Sequence, residues 1–301
     1  MVIATHRTFF FWLTGLILAG AIGAIAVFGL PLSIDFTGGS LIHVAFPEGR
    51  PALSVVQSEV ESVPVGTVSV RALGSDAVSI RARTLTLEEH AQILSVLSEK
   101  NPITELSYTS VGPTLGSQFE KKALWAIAAV ALAVILYIAF AFRKVSRPVS
   151  SWGYGLTVVA ILAHDLLIPA GFFAILAHFT GAEVDALFVT ALLALLGYSV
   201  NDTIIIFDRV REHLATNEKT GLKETFETTV GKSISETLTR SINTSLTVGL
   251  ALLALALFGA AATRDFALVI LVGVVAGTYS SILLAAPLLV PLAHRALKQK
   301  Q

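Results

Sequence analysis

The chain has no cysteine among its 301 residues, which excludes disulfide staples and thiolate metal sites. It is also short of charge. Only 14% of its residues are Asp, Glu, Lys or Arg, against about 25% in an ordinary soluble domain. Lys plus Arg balance Asp plus Glu at 21 each, so no basic field points to nucleic acid. What fills the chain instead is apolar: 54% of residues are hydrophobic and the mean hydropathy is +0.76. The remaining charge is concentrated in a few segments between long apolar runs, the pattern of a membrane protein.

Residues 1–32 read as a cytoplasmic N-terminus and a first transmembrane helix, because the apolar stretch 9–30 exceeds the about 7 to 15 residues of a signal-peptide core. Cleavage near the small residues 19–26 is the alternative. Five further spans follow at about 123–142, 152–177, 186–207, 241–262 and 265–293. Basic residues set their direction. Arg143, Lys144 and Arg147 separate the second and third spans, and Arg209, Arg211, Lys219, Lys223, Lys232 and Arg240 fill the loop 208–240. His294, Arg295, Lys298 and Lys300 close the chain. These fall on one side when both termini are cytoplasmic, which turns residues 33–122 outward. Within 208–240, Leu222, Phe226, Val230, Ile234, Leu238 and Ile242 recur every fourth residue. That spacing predicts a helix that lies on the membrane face or packs on the bundle, or offers a docking surface to a cytosolic partner.

Residues 33–122 hold no run long enough to span. Alternation predicts strands at 41–46, 67–73, 77–82 and 106–110, with helices at 52–62 and 85–99, the second opened by Thr86 with Glu89 three residues on. The order β-α-β-β-α-β predicts a small α+β, ferredoxin-like extracytoplasmic domain between the first and second helices. His43 and His90 have no ligand-spaced partner, and neither a metal nor a cofactor is expected.

Polar residues inside the apolar runs are the functional signal. A charge at the bilayer centre costs about 2.5 to 3.5 kcal/mol on insertion scales, so a carboxylate at that depth faces protein or water and marks an ion or proton path. The third span carries His164 and Asp165, the fourth Asn201 and Asp202, and the fifth opens with Arg240 followed by Asn243. Asp202 lies about six residues, roughly 9 Å, inside the charged boundary at Asp208 and Arg209. Burial and a neighbouring guanidinium act on a carboxylate's proton in opposite senses, so motion of Arg240 relative to Asp202 would load and release it. A static buried ion pair is the structural alternative. His164 and Asp165 are adjacent on a helix and about 100° apart, which predicts that they do not face one cavity. Gly273 and Gly277 have the spacing of closely packed membrane helices, and Thr278, Tyr279, Ser280 and Ser281 add hydroxyls to the same region.

With these residues in view the chain resembles the SecF family, the smaller membrane subunits of the bacterial SecD–SecF protein-translocation accessory, related to the proton-driven RND transporters. The matching motifs are Ser33-Ile34-Asp35-Phe36-Thr37-Gly38-Gly39, His164-Asp165, the stretch 197–209, and Asp265-Phe266 with Gly277-Thr278-Tyr279-Ser280-Ser281. The Asn-Asp-Thr form of the fourth-span motif is closer to SecF than to its SecD sister. The resemblance implies Asp202 as the proton-carrying carboxylate and Arg240, at the head of the next helix, as its charged partner. It also implies a plasma-membrane subunit rather than an enzyme, with SecD, the SecYEG channel, YajC and a translocating preprotein as partners and the proton-motive force as energy source. Competing readings are an RND-type exporter half for a lipid or small molecule, an intramembrane aspartyl protease using Asp165 and Asp202, and a passive scaffold.

Overall fold

The computed structural model describes residues 6–142 and 148–298. Arg143, Lys144, Arg147 and Lys300, used above to orient the spans, lie outside the described residues, as do both chain ends. In order, the elements are α1 Arg7–Phe28, α2 Ile34–Thr37, β1 Gly39–Ala45, α3 Leu53–Glu61, β2 Ser69–Leu73, β3 Ala77–Ala82, α4 Leu87–Ser98 and β4 Thr104–Val111. Then come α5 Pro113–Ala141, α6 Ser151–Thr180, α7 Ala186–Thr220, α8 Phe226–Phe258, α9 Ala261–Ser280, a π-helical turn Ser281–Ala285, and α10 Ala286–Lys298. Pro31–Leu124 with Glu183–Ala186 form one compact unit, and the remaining described helices form the other.

In the smaller unit the four strands pair antiparallel in the order β2-β3-β1-β4. Alternation on β1 and β3 turns Ile42, Val44, Val78 and Ile80 inward, where Val56 and Val60 of α3 and Ile93 and Leu97 of α4 cover them. A capping box opens α4: Thr86 Oγ1 accepts from the Glu89 amide at 3.2 Å, and the Glu89 carboxylate accepts from the Thr86 amide at 2.9 Å. β1 starts at Gly39 rather than at residue 41, because two glycines allow a turn other residues would strain. Gly38 has φ +73 and Gly39 φ +127, and a Cβ on Gly38 would meet Pro113 Cα at 2.8 Å. α5 packs on this turn through Gly116, whose added Cβ would lie 2.7 Å from the Gly38 amide nitrogen.

Among the described residues six helices are long and apolar enough to cross a membrane. They divide into two sets. The most apolar window is 56%, 50% and 56% buried in the third, fourth and sixth, against 11%, 6% and 17% in the first, second and fifth. The core is therefore α6, α7 and the α9–α10 pair, with Tyr154 stacked on Phe142 at 5.1 Å and both against Phe207. Of the apolar stripe, Val230 and Ile234 are buried in this core and Phe226 and Leu238 pack against it, whereas Leu222 and Ile242 are exposed.

The helix expected from the stripe 222–242 is present from Phe226 as the start of α8, but Asp208 and Arg209 do not end the preceding helix: α7 continues to Thr220 and the chain turns at Gly221. Arg240 is thus well inside α8, not at a helix head. Charges that end the apolar run pair along and across these extensions, Arg211 with Asp208, Arg209 with Glu212 and Glu236, and His213 with Glu236, so the helices persist beyond the apolar stretch. The last span is not one regular helix. Pro287 has no amide proton for the Leu283 carbonyl, and the π turn at Ser281–Ala285 absorbs that irregularity.

Candidate functional site

The π turn decides where hydroxyls point. Ser280 ends α9 and Ser281 opens the turn; both are fully buried. Ser280 Oγ lies 3.0 Å from Asp165 Oδ2 on α6, and Ser281 Oγ lies 2.9 Å from Thr203 Oγ1 on α7. Ser199, one helical turn before Thr203, donates to the same Asp165 Oδ2. His164 Nδ1 lies 2.7 Å from Asp165 Oδ1. Asp165, 2% exposed, is therefore surrounded by donors from three helical segments, the arrangement a buried carboxylate requires.

His164 faces the same interior, contrary to the expectation from the 100° helical offset. It is 4% exposed, and its ring stacks on Tyr279 with centroids 6.3 Å apart. The offset separates Cα–Cβ directions, but an imidazole is long enough to fold back onto the neighbouring carboxylate. Tyr279 continues outward, its hydroxyl 2.8 Å from Thr14 Oγ1 on α1. The other ring nitrogen, His164 Nε2, is buried and has no hydrogen-bond partner among the described residues.

Asp202 is almost as buried, 3% exposed, three residues beyond Ser199 on α7. Its environment differs. Asp202 Oδ2 has no hydrogen-bond partner among the described residues, although the fully buried Ser241 of α8 lies close enough to the carboxylate for a side-chain hydrogen bond. Arg240 is close enough to act on Asp202 electrostatically, yet it is exposed, and among the described residues no ion pair joins the two. Asn201 and Asn243 are both exposed and make no side-chain hydrogen bond among the described residues. Tyr198 donates to Ser245 at 3.1 Å, and Thr278 donates to the same hydroxyl.

Asp35, Gly38 and Gly39 belong to the smaller unit. Asp35 Oδ2 accepts from the Ala186 amide at 2.9 Å and so caps the first residue of α7. Val184 bonds back to Pro31 and Ser33, and Glu183 pairs with Arg71 at 3.0 Å and Arg81 at 2.9 Å. Among the described residues no group of three or more His, Asp or Glu could hold a metal ion.

The sequence marks Ser199 and Ser280 within motifs but not as partners of Asp165, and it gives no sign of Thr14, which reaches the pair through Tyr279. Ser199 and Thr203 share one face of α7 at i and i+4, a readable sign. The orientation of Ser280 depends on the π turn, which periodicity does not reveal.

Six apolar helices whose buried members carry carboxylate, imidazole and hydroxyl groups define a multi-pass membrane protein of the transport class. The family model "Protein export membrane protein SecD/SecF, C-terminal" matches residues 92–295, and the "SecD/SecF GG Motif" matches 23–46, which contains Gly38 and Gly39. The chain belongs to the SecD/SecF family of protein export membrane proteins. It is 39% identical over 293 residues to the protein translocase subunit SecF of Anaerolinea thermophila, covering 96% of this chain and 92% of that one. The SecF of Thermobaculum terrenum is 39% identical over 301 residues with the same coverages. The crystal structure of SecDF from Thermus thermophilus, described as a translocon-associated membrane protein, superposes with a TM-score of 0.81 at 29% identity. That match covers 96% of this chain, which spans 38% of the length of that SecDF protein.

Proposed function

We propose that the chain works as a SecF-type protein translocase subunit, assembled with a SecD-type subunit and driven by the proton-motive force acting on Asp202. The observation that carries this reading is the state of Asp202: a carboxylate 3% exposed at membrane depth, one oxygen without a partner, and a guanidinium on the adjacent helix that does not neutralise it by contact. An ion pair built for stability would be closed; this one is open. Arg240 supplies a charge whose approach or withdrawal changes how firmly Asp202 holds a proton.

A partner is supported by what the chain leaves uncovered. Arg240, Asn201 and Asn243 are exposed polar groups on membrane-depth segments of α7 and α8, which is costly against lipid and satisfied by another subunit. The SecD–SecF pairing named in the relatives supplies one, with the SecYEG channel, YajC and the preprotein as further contacts. Orientation follows from charge. Arg7, at the start of the first span, pairs with Glu227 in the first turn of α8, which puts that start at the end of the bundle holding the basic turn between α7 and α8. By the positive-inside rule that end is cytoplasmic in a bacterial plasma membrane. The ferredoxin-like domain 33–122, between the first and second spans, then faces outward, and its motion is coupled to proton movement through residues 123–301.

Asp202→Asn in the assembled complex tests this reading, because the substitution keeps shape and one accepting oxygen while removing titration. Proton flux in proteoliposomes and proton-motive-force-dependent export are expected to fall to near background with assembly intact. Full export by a normally assembled Asp202→Asn complex would refute the assignment.

A further inference from the structure

We propose that His164 and Asp165 form a second proton-holding station in the bundle, separate from Asp202 and built to accept both charge states. This rests on the reading of the chain as a proton-driven subunit. The argument starts from Ser280. Its single hydroxyl proton has two acceptors, Asp165 Oδ2 at 3.0 Å and the Gly277 carbonyl at 3.0 Å. When Asp165 is ionised, Ser280 and Ser199 donate to Oδ2 and His164 Nδ1–H donates to Oδ1. When Asp165 carries a proton, Ser280 turns to Gly277 and accepts from the carboxyl instead. Neither state strands Asp165 or Ser280, whereas a purely structural carboxylate needs partners in one state alone.

The second observation is the unpartnered end of the pair's chemistry. His164 is 4% exposed and its Nε2 has no partner among the described residues, although every other side-chain atom of the dyad that can hydrogen-bond does so. With Nδ1–H donating to Asp165, Nε2 carries the free lone pair. A proton delivered there by hydronium forms an N–H bond and releases water, taking the pair from a charge of −1 to 0. Loss of that proton to water restores −1, and Asp165 stabilises the imidazolium between the two events. Tyr279 of α9 is the titratable group stacked on the ring, and Asp202 of α7 lies one turn along its helix from Ser199. The ion pairs of the described residues join no Lys or Arg to Asp165, so no fixed cation holds it in the ionised state. Ser280 lies at the junction of α9 with the π turn, a local irregularity of a kind that recurs at functional sites.

The test uses the full chain with its partner subunit in proteoliposomes, measuring proton flux against pH for the unmutated protein, His164→Gln, Asp165→Asn, Asp165→Glu and Asp202→Asn. Nitrogen NMR of 15N-histidine-labelled, unmutated complex follows His164, assigned by the signal missing in His164→Gln. Expected are a His164 ring that moves between neutral and doubly protonated forms within the pH range where flux runs, loss of the matching limb of the flux profile in His164→Gln, and partial recovery in Asp165→Glu over Asp165→Asn. A His164 ring that keeps one neutral tautomer throughout, or a His164→Gln profile identical to the unmutated one, overturns the station even while Asp202→Asn remains inactive. Full flux in Asp202→Asn would instead overturn the reading of Asp202. Because the NMR arm uses unmutated protein, a variant that fails to fold does not rescue the idea.

Discussion

Asp165 and Asp202 are buried to the same degree, 2% and 3% exposed, and lie on neighbouring helices, yet they are treated in opposite ways. Asp165 has hydroxyl and imidazole donors on both oxygens. Asp202 has one oxygen bare among the described residues, a single serine beside it and a guanidinium that makes no ion pair with it. Depth alone therefore does not assign a role to an intramembrane carboxylate. A carboxylate with donors on both oxygens adds to the packing of α6, α7 and α9 besides any part in holding a proton, whereas a bare oxygen costs free energy at its site.

The largest effect that sharpens this contrast is on stability. Asp165→Leu strands the Ser199 hydroxyl and the His164 ring, and each abandoned buried group costs about 1–3 kcal/mol. Thermal unfolding of the purified complex is expected to show a clear drop for Asp165→Leu and a smaller one for Asp202→Leu, which leaves only Ser241 without its polar neighbour. Ser280→Ala is expected to fall between them, since Asp165 keeps two of its donors. Equal losses for the two leucine variants would erase the distinction.

The smallest effect comes from a third carboxylate, Glu89, partly buried and outside the spans. The hydrogen bond from Arg83, and next the Thr86 amide, hold Glu89 far below the usual carboxylate range, at about 2. A lowered folded-state value means the contribution is complete above the unfolded value, near 4.5, and is lost as pH falls toward 2. In a 40–111 fragment followed by circular dichroism, Glu89→Gln is expected to lower the melting temperature slightly at pH 7 and not at all near pH 2. A difference that persists in acid would mean that the loss comes from helix capping shape rather than charge.

Much of this architecture is legible in the sequence, and where it is not the reason is local. Apolar run lengths locate six spans because the bilayer imposes a length, and Thr86 with Glu89 announces α4 because a capping box needs two residue types at one spacing. The ends of α7 and α8 are not readable from hydropathy, since ion pairs such as Arg209 with Glu236 carry helix past the apolar boundary. Asp202 stands out as a charge in an apolar run. That its oxygen is bare while Asp165 is enclosed depends on the π turn and on side chains from three helical segments, and no single-helix pattern encodes either.

The most direct measurement is the infrared difference spectrum of the reconstituted complex, taken as the proton gradient is applied, in the carbonyl-stretch region of protonated carboxylic acids. The account predicts a band that appears and disappears with the gradient in the unmutated protein, shifts in heavy water, and is absent from Asp202→Asn while Asp165→Asn retains it. A gradient-dependent band of unchanged intensity in Asp202→Asn would contradict the claim that this carboxylate carries the proton.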